Sequence, residues 1–369
     1  MLNDFGMFRF PLRLILKKIF RFVCLPWWII LLPKRRGASP YFGPPTPPYG
    51  GPDLKARKLK AIFGNSYWPS CIYVFSGKPI SSIFLRFVKW RKIPIILNQD
   101  GVYYPQWYPR GFKEMNLRLR LLHCLSDFVI YQSQFCVRSC EVWIKPPPRK
   151  QTILYNAVDT HYFCPQNRTA TAPIRVLAAS YFNPSNSYVL EHILKMTSHL
   201  NRYQPTMQLL IAGQVHGSDK DRLPDWVVSL VRETETEPYV TYLGAYDQKS
   251  APSIYNQAHI FVHLKHMDPC PSTVLEAMAC GLPVIYGATG GTPELVQEGG
   301  IGIPVDSSYD RTHLPEIEPL AQAVGEIEKS WRHFSLQARK RVENHFSLDP
   351  WYQQHRHIFL DLQSNVGEN

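Results

Sequence analysis

Residues 268–296 read DPCPSTVLEAMACGLPVIYGATGGTPELV, and this stretch decides the fold. Pro271 opens a short apolar helix. Gly281 and Pro283 close it, a buried strand follows, and Gly290-Gly291 turn the chain into a second helix. Asp268 stands just before the first helix and Glu276 lies inside it. At the helix start the amides of Ser272, Thr273 and Val274 lack intrahelical partners and sit at the positive end of the dipole, which suits a diphosphate. Glu276, one turn further in, is placed for neutral hydroxyls beside such a phosphate, and Asp268 for a sugar ring. The same residues also fit a structural reading, in which Thr273 and Glu276 form a capping box and do nothing else.

Outward from this block, apolar strand runs alternate with helical patterns, the signature of parallel sheets. Toward the N-terminus, strands are expected at 71–77, 93–101, 128–134 and near 152, with helices at 81–92 and 117–127. The polar stretch QNRTATAP (166–173) interrupts the pattern. It restarts with strands at 174–180, 207–213, 240–244, 260–264 and 283–287 and helices between them, and ends in helical regions at 319–344 and 347–363. The expected organisation is a basic amphipathic segment (1–36), a Pro/Gly linker (37–53), an N-terminal Rossmann-like domain (54–165) and a hinge (166–173). A second Rossmann-like domain (174–345) and a C-terminal helix that crosses back to the first domain (346–369) complete it. Two doubly wound α/β domains in tandem place a ligand in the cleft between them, at the C-terminal ends of the strands.

The net charge of +12 is uneven. Residues 1–60 hold twelve Lys/Arg and two acids, while the rest is near balance with 29 basic and 27 acidic residues. The basicity therefore belongs to the N-terminal segment, and the globular part has no nucleic-acid character. Residues 8–33 mix Lys and Arg with Phe, Leu and the Trp27-Trp28 pair, as an interfacial membrane segment does. The longest uncharged run, 22–33, is too short to span a bilayer of roughly 20 residues, and no small-residue cleavage site follows it. The six Pro and four Gly of 37–53 give a polyproline-type linker. Eight cysteines without CxxC or zinc spacing point to free buried thiols and a reducing compartment. No metal or resident cofactor is expected. No G-x-G-x-x-G follows a strand and no G-x-x-x-x-G-K-[ST] occurs, which argues against nicotinamide chemistry and P-loop phosphoryl transfer.

The block at 268–296 resembles the donor-binding block of family 4 glycosyltransferases, which have the GT-B fold. The pattern is an acid (Asp268), seven residues, Glu276 in EAMA, then CG-x-PVI and GG-x-PE. The resemblance extends over roughly 98–345, through VTYLGAYDQKSAPSIYNQAHIFVHL (240–264), IYQSQF (130–135), YNAVDTHYFCP (155–165) and QDGVYYP (99–105). It implies transfer of a sugar from a nucleoside diphosphate donor with retention of configuration and no required metal. Under it Glu276 holds the donor ribose, Asp268 contacts the transferred sugar, and the amides of Ser272 and Thr273 meet the diphosphate. Asp100 stands near the reacting centre. Gly213 and Gly244 at strand ends, and Gly290-Gly291 in the turn, belong to the donor side.

The sequence departs from that pattern in three places. The first acid is Asp rather than Glu. Pro271 removes an amide donor. Ser180 and Asn186 stand where the family usually supplies an Arg and a Lys for the leaving diphosphate, the group on which charge develops. Lys265, His266 and Arg110 are the candidate substitutes. His123 reads as a core histidine, and Tyr103-Tyr104 either as packing or as a stacking surface for an acceptor sugar. The expectation is a retaining transferase at the cytoplasmic membrane face, acting on a glycan or lipid-linked glycan acceptor. Its rival is a non-catalytic subunit that binds a nucleotide sugar or glycan.

Overall fold

The computed structural model describes residues 37–44, 50–66, 68–166, 173–202, 207–219 and 222–364. The amphipathic segment 8–33 lies outside the described residues, as does nearly all of the hinge 166–173.

The first sheet holds five parallel strands in the order β1 to β5: Pro40–Tyr41, Cys71–Phe75, Ile95–Gln99, Phe128–Tyr131 and Lys150–Ile153. Helices α1 (Gly51–Phe63), α2 (Ser82–Trp90), α3 (Phe112–Leu125) and α4 (Gln134–Trp143) connect them. The three central strands are apolar runs buried on both faces. On one face Val74, Leu97 and Val129 pack against Leu85 and Val88 of α2, Leu119 of α3 and Cys136 of α4. On the other, Tyr73, Ile96 and Ile130 meet Ala56 and Leu59 of α1. Strand β1 and the start of α1 lie within 37–53, the stretch expected to be a linker. Its glycines and prolines frame a two-residue edge strand and a helix start with Pro at the first turn.

The second sheet holds six parallel strands in the order β11-β10-β9-β6-β7-β8. Strands β6 (Ile174–Ala179), β7 (Met207–Ala212) and β8 (Val240–Tyr242) run one way from the centre. Strands β9 (Ile260–His263), β10 (Val284–Gly287) and β11 (Gly300–Ile303) run the other. Helices α5 (Ser187–Asn201), α6 (Asp225–Glu233) and α10 (Ile317–Lys329) cover one face through Leu190, Val227 and Leu320. Helices α7 (Ala251–Tyr255), α8 (Ser272–Ala279) and α11 (Trp331–His345) cover the other through Tyr255, Val274 and Ala338. A short helix α9 (Thr292–Val296) follows β10. The strand order reverses between β6 and β9, and a reversal of this kind opens a crevice at the C-terminal strand ends.

The last helix, α12 (Leu348–Ser364), returns to the first sheet, where Trp351, Phe359 and Leu362 bury against Leu59 and Tyr73. Each such side chain contributes roughly 1.5–3 kcal/mol. His355 on this helix is fully buried, 3.0 Å from the Tyr73 hydroxyl, and burial lowers its pKa to about 3. His123 is a core histidine, 3.0 Å from Gln99 Oε1, with burial lowering its pKa to about 4.

Candidate active site

The C-terminal ends of the two sheets face each other across a cavity of about 680 Å³. One wall comes from the end of β3. Asn98 and Gln99 are buried polar residues that brace the loop beyond the strand: Asn98 Oδ1 accepts from Lys55 Nζ at 2.8 Å, and Gln99 Nε2 donates to Gly101 O at 2.8 Å. Asp100 follows them onto the cavity wall. Its amide donates to Ser76 Oγ at 2.9 Å, and its Oδ1 lies 3.5 Å from Lys55 Nζ. Burial holds the Asp100 carboxyl above the usual carboxylate range, with Lys55 opposing. Burial also holds the Lys55 amine below its usual range.

The facing wall comes from the loop after β9. Asp268 Oδ2 lies 2.9 Å from Lys265 Nζ and 3.8 Å from His263 Nε2. Burial pushes the Asp268 carboxyl up, but Lys265 and His263 together take it below the ordinary range, so it is ionised at neutral pH. The carboxylate in turn raises the Lys265 pKa. Burial drops His263 to about 4, leaving it neutral. The two walls touch where Gly101 meets Pro269: a Cβ on Gly101 would lie 2.9 Å from Pro269 Cγ.

The reversal between β6 and β9 falls at the same place. Ser180 after β6, Asn186, His263 and Lys265 line one recess, and Asn186 and Lys265 also line the main cavity. The side chain of Asn186 is committed to its own loop, where Oδ1 accepts from Asn183 N at 2.7 Å and Nδ2 donates to Tyr181 O at 2.8 Å. Lys265 therefore places a cation at the switch point, against the residues where the sequence lacks one. Gly213 and Gly244 support this corner through backbone. Gly213 N donates to Gly244 O at 2.9 Å, and at φ +103° a Cβ on Gly213 would lie 2.2 Å from Ser180 O.

Gly290 and Gly291 act on the Asp268 loop itself. Gly291 N donates to Asp268 O at 2.9 Å, and a Cβ on Gly291 would lie 2.0 Å from Pro269 O. Only glycine lets the turn after β10 close this tightly.

The remaining predicted donor residues lie apart from the cavity lining. Helix α8 begins at Ser272, with Pro271 in an extended conformation at its N-cap rather than in its first turn, and no side chain caps it. Ser272 and Thr273 are half-buried. Glu276 is 4% exposed, and its carboxylate accepts from Gln248 Nε2 at 3.0 Å and Tyr255 OH at 3.1 Å. The capping box with Thr273 is not formed. Burial raises the Glu276 pKa, opposed by the Gln248 bond and by Lys58 of α1. Asp100, Asp268, Lys265 and Asn186 thus share one cavity, while Glu276 with Gln248 and Tyr255 forms a separate hydrogen-bonded polar cluster.

Two contributors have roles the sequence did not assign, Glu294 of the GG-x-PE pattern and Trp107. Glu294 at the start of α9 reaches across to the first domain, accepting from the amides of Gln134 and Phe135 at the N-terminus of α4 (2.7 and 2.8 Å) and from Tyr155 OH (2.9 Å). Trp107 lies on the cavity rim, 53% exposed, with its ring stacked on Tyr103 at 5.1 Å. Trp107 belongs to the aromatic run YYPQWYP (103–109), and the run alone does not say which ring reaches the rim. Among the described residues no three His, Cys, Asp or Glu side chains gather as a metal site.

Comparison with known proteins agrees with this architecture. The chain is 26% identical over 170 residues to D-inositol 3-phosphate glycosyltransferase of Mycobacterium sp. (strain KMS), covering 43% of this chain and 36% of that relative. It is 24% identical over 245 residues to N-acetyl-alpha-D-glucosaminyl L-malate synthase of Bacillus anthracis, covering 64% and 60%. It therefore spans between about a third and three-fifths of the length of these relatives. Among solved structures, sucrose-phosphate synthase from Thermosynechococcus elongatus superposes with a TM-score of 0.64 at 19% identity, over 85% of this chain and 78% of the other. Anabaena Alr3699/HepE in complex with UDP-glucose superposes with a TM-score of 0.60 at 16% identity, over 84% and 82%. The fold is GT-B: two parallel-sheet α/β domains with a cleft between them. Within it, residues 185–318, which carry Lys265, Asp268 and Glu276, match the family model described as Glycosyl transferases group 1.

Proposed function

We propose that this protein transfers a sugar, with retention of configuration, from a nucleoside-diphosphate donor to a glycan or lipid-linked glycan acceptor, without a metal ion. The observation that carries the proposal is the pairing of Asp100 and Asp268 across one cavity, with Asp268 inside the stretch 185–318 that matches the glycosyl transferase model. Breaking the sugar–phosphate bond builds negative charge on the leaving diphosphate. Two positive groups stand ready for it. One is the uncapped N-terminus of α8 at Ser272 and Thr273, and the other is the Lys265 ammonium. Asp268, kept ionised by Lys265, faces the transferred sugar. Asp100 lies on the acceptor wall beside Tyr103 and Trp107, whose rings offer an apolar face to an acceptor sugar. Glu276 takes the donor ribose by exchanging its bonds to Gln248 and Tyr255 for ribose hydroxyls. The protein works at the cytoplasmic membrane face, held there by residues 8–33. Among the described residues no helix is long and apolar enough to cross a membrane.

A second reading is a non-catalytic subunit that binds a nucleotide sugar or a glycan. It is favoured by the absence of a basic side chain at Ser180 and by the locked side chain of Asn186. A thermal-shift panel of UDP-, GDP-, ADP- and dTDP-sugars, on wild type and on Glu276→Ala, tests donor binding. A shift with one nucleotide class, lost in the variant, supports donor binding at Glu276. Product formation with that donor then separates transferase from subunit. No shift with any donor in folded protein overturns the transferase reading and leaves a glycan-binding subunit.

A further inference from the structure

We infer that the outer face of α2 and α3 is a docking surface for a bilayer carrying anionic headgroups. The three most exposed large apolar side chains among the described residues are Trp90 (72%), Ile83 (71%) and Leu117 (66%). All three belong to these two helices, which pack side by side on the same face of the first sheet. Leu85 and Val88 turn α2 toward the sheet. At 100° per residue Ile83 and Trp90 then point directly away from it. Leu119 and Leu122 do the same for α3 and put Leu117 on its outer side. Among the described residues the Phe87 ring meets Trp90 edge-on at 5.1 Å, and all three side chains remain largely exposed.

Charge selects the occupant. Residues 82–125 hold eight Lys/Arg and two acids, Asp100 and Glu114, and Asp100 is turned into the cleft against Lys55. The outer face therefore presents Arg86, Lys113 and Arg120 around the apolar side chains, with Glu114 as the one exposed acid among them. A protein interface of stable size has its charges thinned from the centre. A surface of Trp, Ile and Leu ringed by Lys and Arg instead matches the boundary where acyl chains meet anionic headgroups. The loop 107–111 joins α3 to the cavity rim at Trp107, so a bilayer on this face lies beside the mouth of the cleft. This surface is distinct from residues 8–33, and its existence does not depend on whether the cleft transfers a sugar.

The test is cosedimentation of the full-length protein with vesicles of phosphatidylcholine, alone or mixed with phosphatidylglycerol. It is run on wild type, on Trp90→Glu/Leu117→Glu, and on Arg86→Gln/Arg120→Gln. Wild type is expected to prefer the anionic vesicles, and each double variant to bind them at least about tenfold more weakly with an unchanged melting temperature. The Gln pair keeps the test decisive if the Glu pair fails to fold. The difference in tryptophan emission between wild type and Trp90→Phe is expected to shift to the blue on anionic vesicles. Wild-type binding by the double variants would overturn the proposal and assign any membrane contact to the N-terminal segment. So would variants that change only self-association in sedimentation velocity, which would make the face a protein interface.

Discussion

Glu294 Oε1 lies 2.8 Å from the backbone nitrogen of Phe135, across the cleft between the two domains. The carboxylate also takes the Gln134 amide and the Tyr155 hydroxyl, so a side chain of the second domain caps the N-terminus of α4 in the first. An anion at a helix start and two charge-assisted bonds each favour the closed arrangement. Glu294→Ala is expected to lower stability by about 2–3 kcal/mol and to enlarge the radius of gyration. Tyr155→Phe, which removes one of the three bonds, should cost about 1 kcal/mol. Denaturant titration and small-angle scattering check both. A Glu294→Ala protein as compact and as stable as wild type would show that the domains close without this contact.

The Asp268–Lys265 pair predicts a pH response. Asp268 sits below its ordinary pKa of 3.8, so its contribution is present above that value and is lost as pH falls through the lower folded pKa. Lys265 sits above its ordinary 10.5, so its contribution is present below that value and is lost as pH rises through the folded pKa. Between these limits the pair is fully charged. Lys265→Met removes the largest influence that opposes burial at Asp268, so its pKa rises. Donor binding or turnover, read against pH, should then lose its acidic limb at a higher pH than in wild type. An unmoved acidic limb would separate Asp268 from the pH dependence.

The sequence made most of this architecture legible, for physical reasons that also explain what it hid. Strands such as CIYVF and MQLLIA are buried on both faces, so their apolar runs stand out. Strand β1 is two residues at a sheet edge among prolines and glycines, and β11 reads GIGI, with half its side chains absent. Neither carries a pattern. The 319–344 region is two helices rather than one, because the chain breaks at Ser330 while the apolar spacing continues. Asp268 and Glu276 were findable because their spacing is local. Their settings were not: Gln248 and Tyr255 reach Glu276 from an earlier segment, and Lys265 gains its meaning only from the strand order that sets it beside Ser180. Glu294 pairs with backbone amides about 160 residues away, a partnership no side-chain motif encodes.

Gly291 and Gly101 allow a graded test of how the Asp268 loop is held. A Cβ on Gly291 would lie 2.0 Å from the carbonyl oxygen of Pro269, a backbone atom that cannot yield. On Gly101 the conflict is 2.9 Å with the Pro269 ring, which has room to pucker. Gly291→Ala is expected to cost more than about 2 kcal/mol and Gly101→Ala less than about 1.5 kcal/mol. Equal losses in denaturant unfolding would contradict the close approach of the two loops.

Glu276 sets function against stability. Its carboxyl is buried and its folded pKa lies above the ordinary 4.5. A raised carboxylate pKa means the folded state binds the proton more tightly than the unfolded chain does. Stability therefore falls as pH rises from the unfolded pKa through the folded one, and at neutral pH the ionised group is a burden on the fold. Glu276→Gln keeps the shape and hydrogen-bonding reach of the side chain and removes that burden. Its melting temperature at neutral pH is expected to equal or exceed that of wild type, with the advantage shrinking as the solution is acidified. If the carboxylate holds donor hydroxyls, the same variant loses charge-assisted bonds worth about 1.5–3 kcal/mol, roughly ten- to hundredfold in donor affinity. Calorimetric titration with the donor found in the thermal-shift panel measures the loss. A variant that is no less stable yet binds poorly identifies Glu276 as retained for the ligand, whereas one that is less stable and binds normally makes it a structural partner of Gln248 and Tyr255.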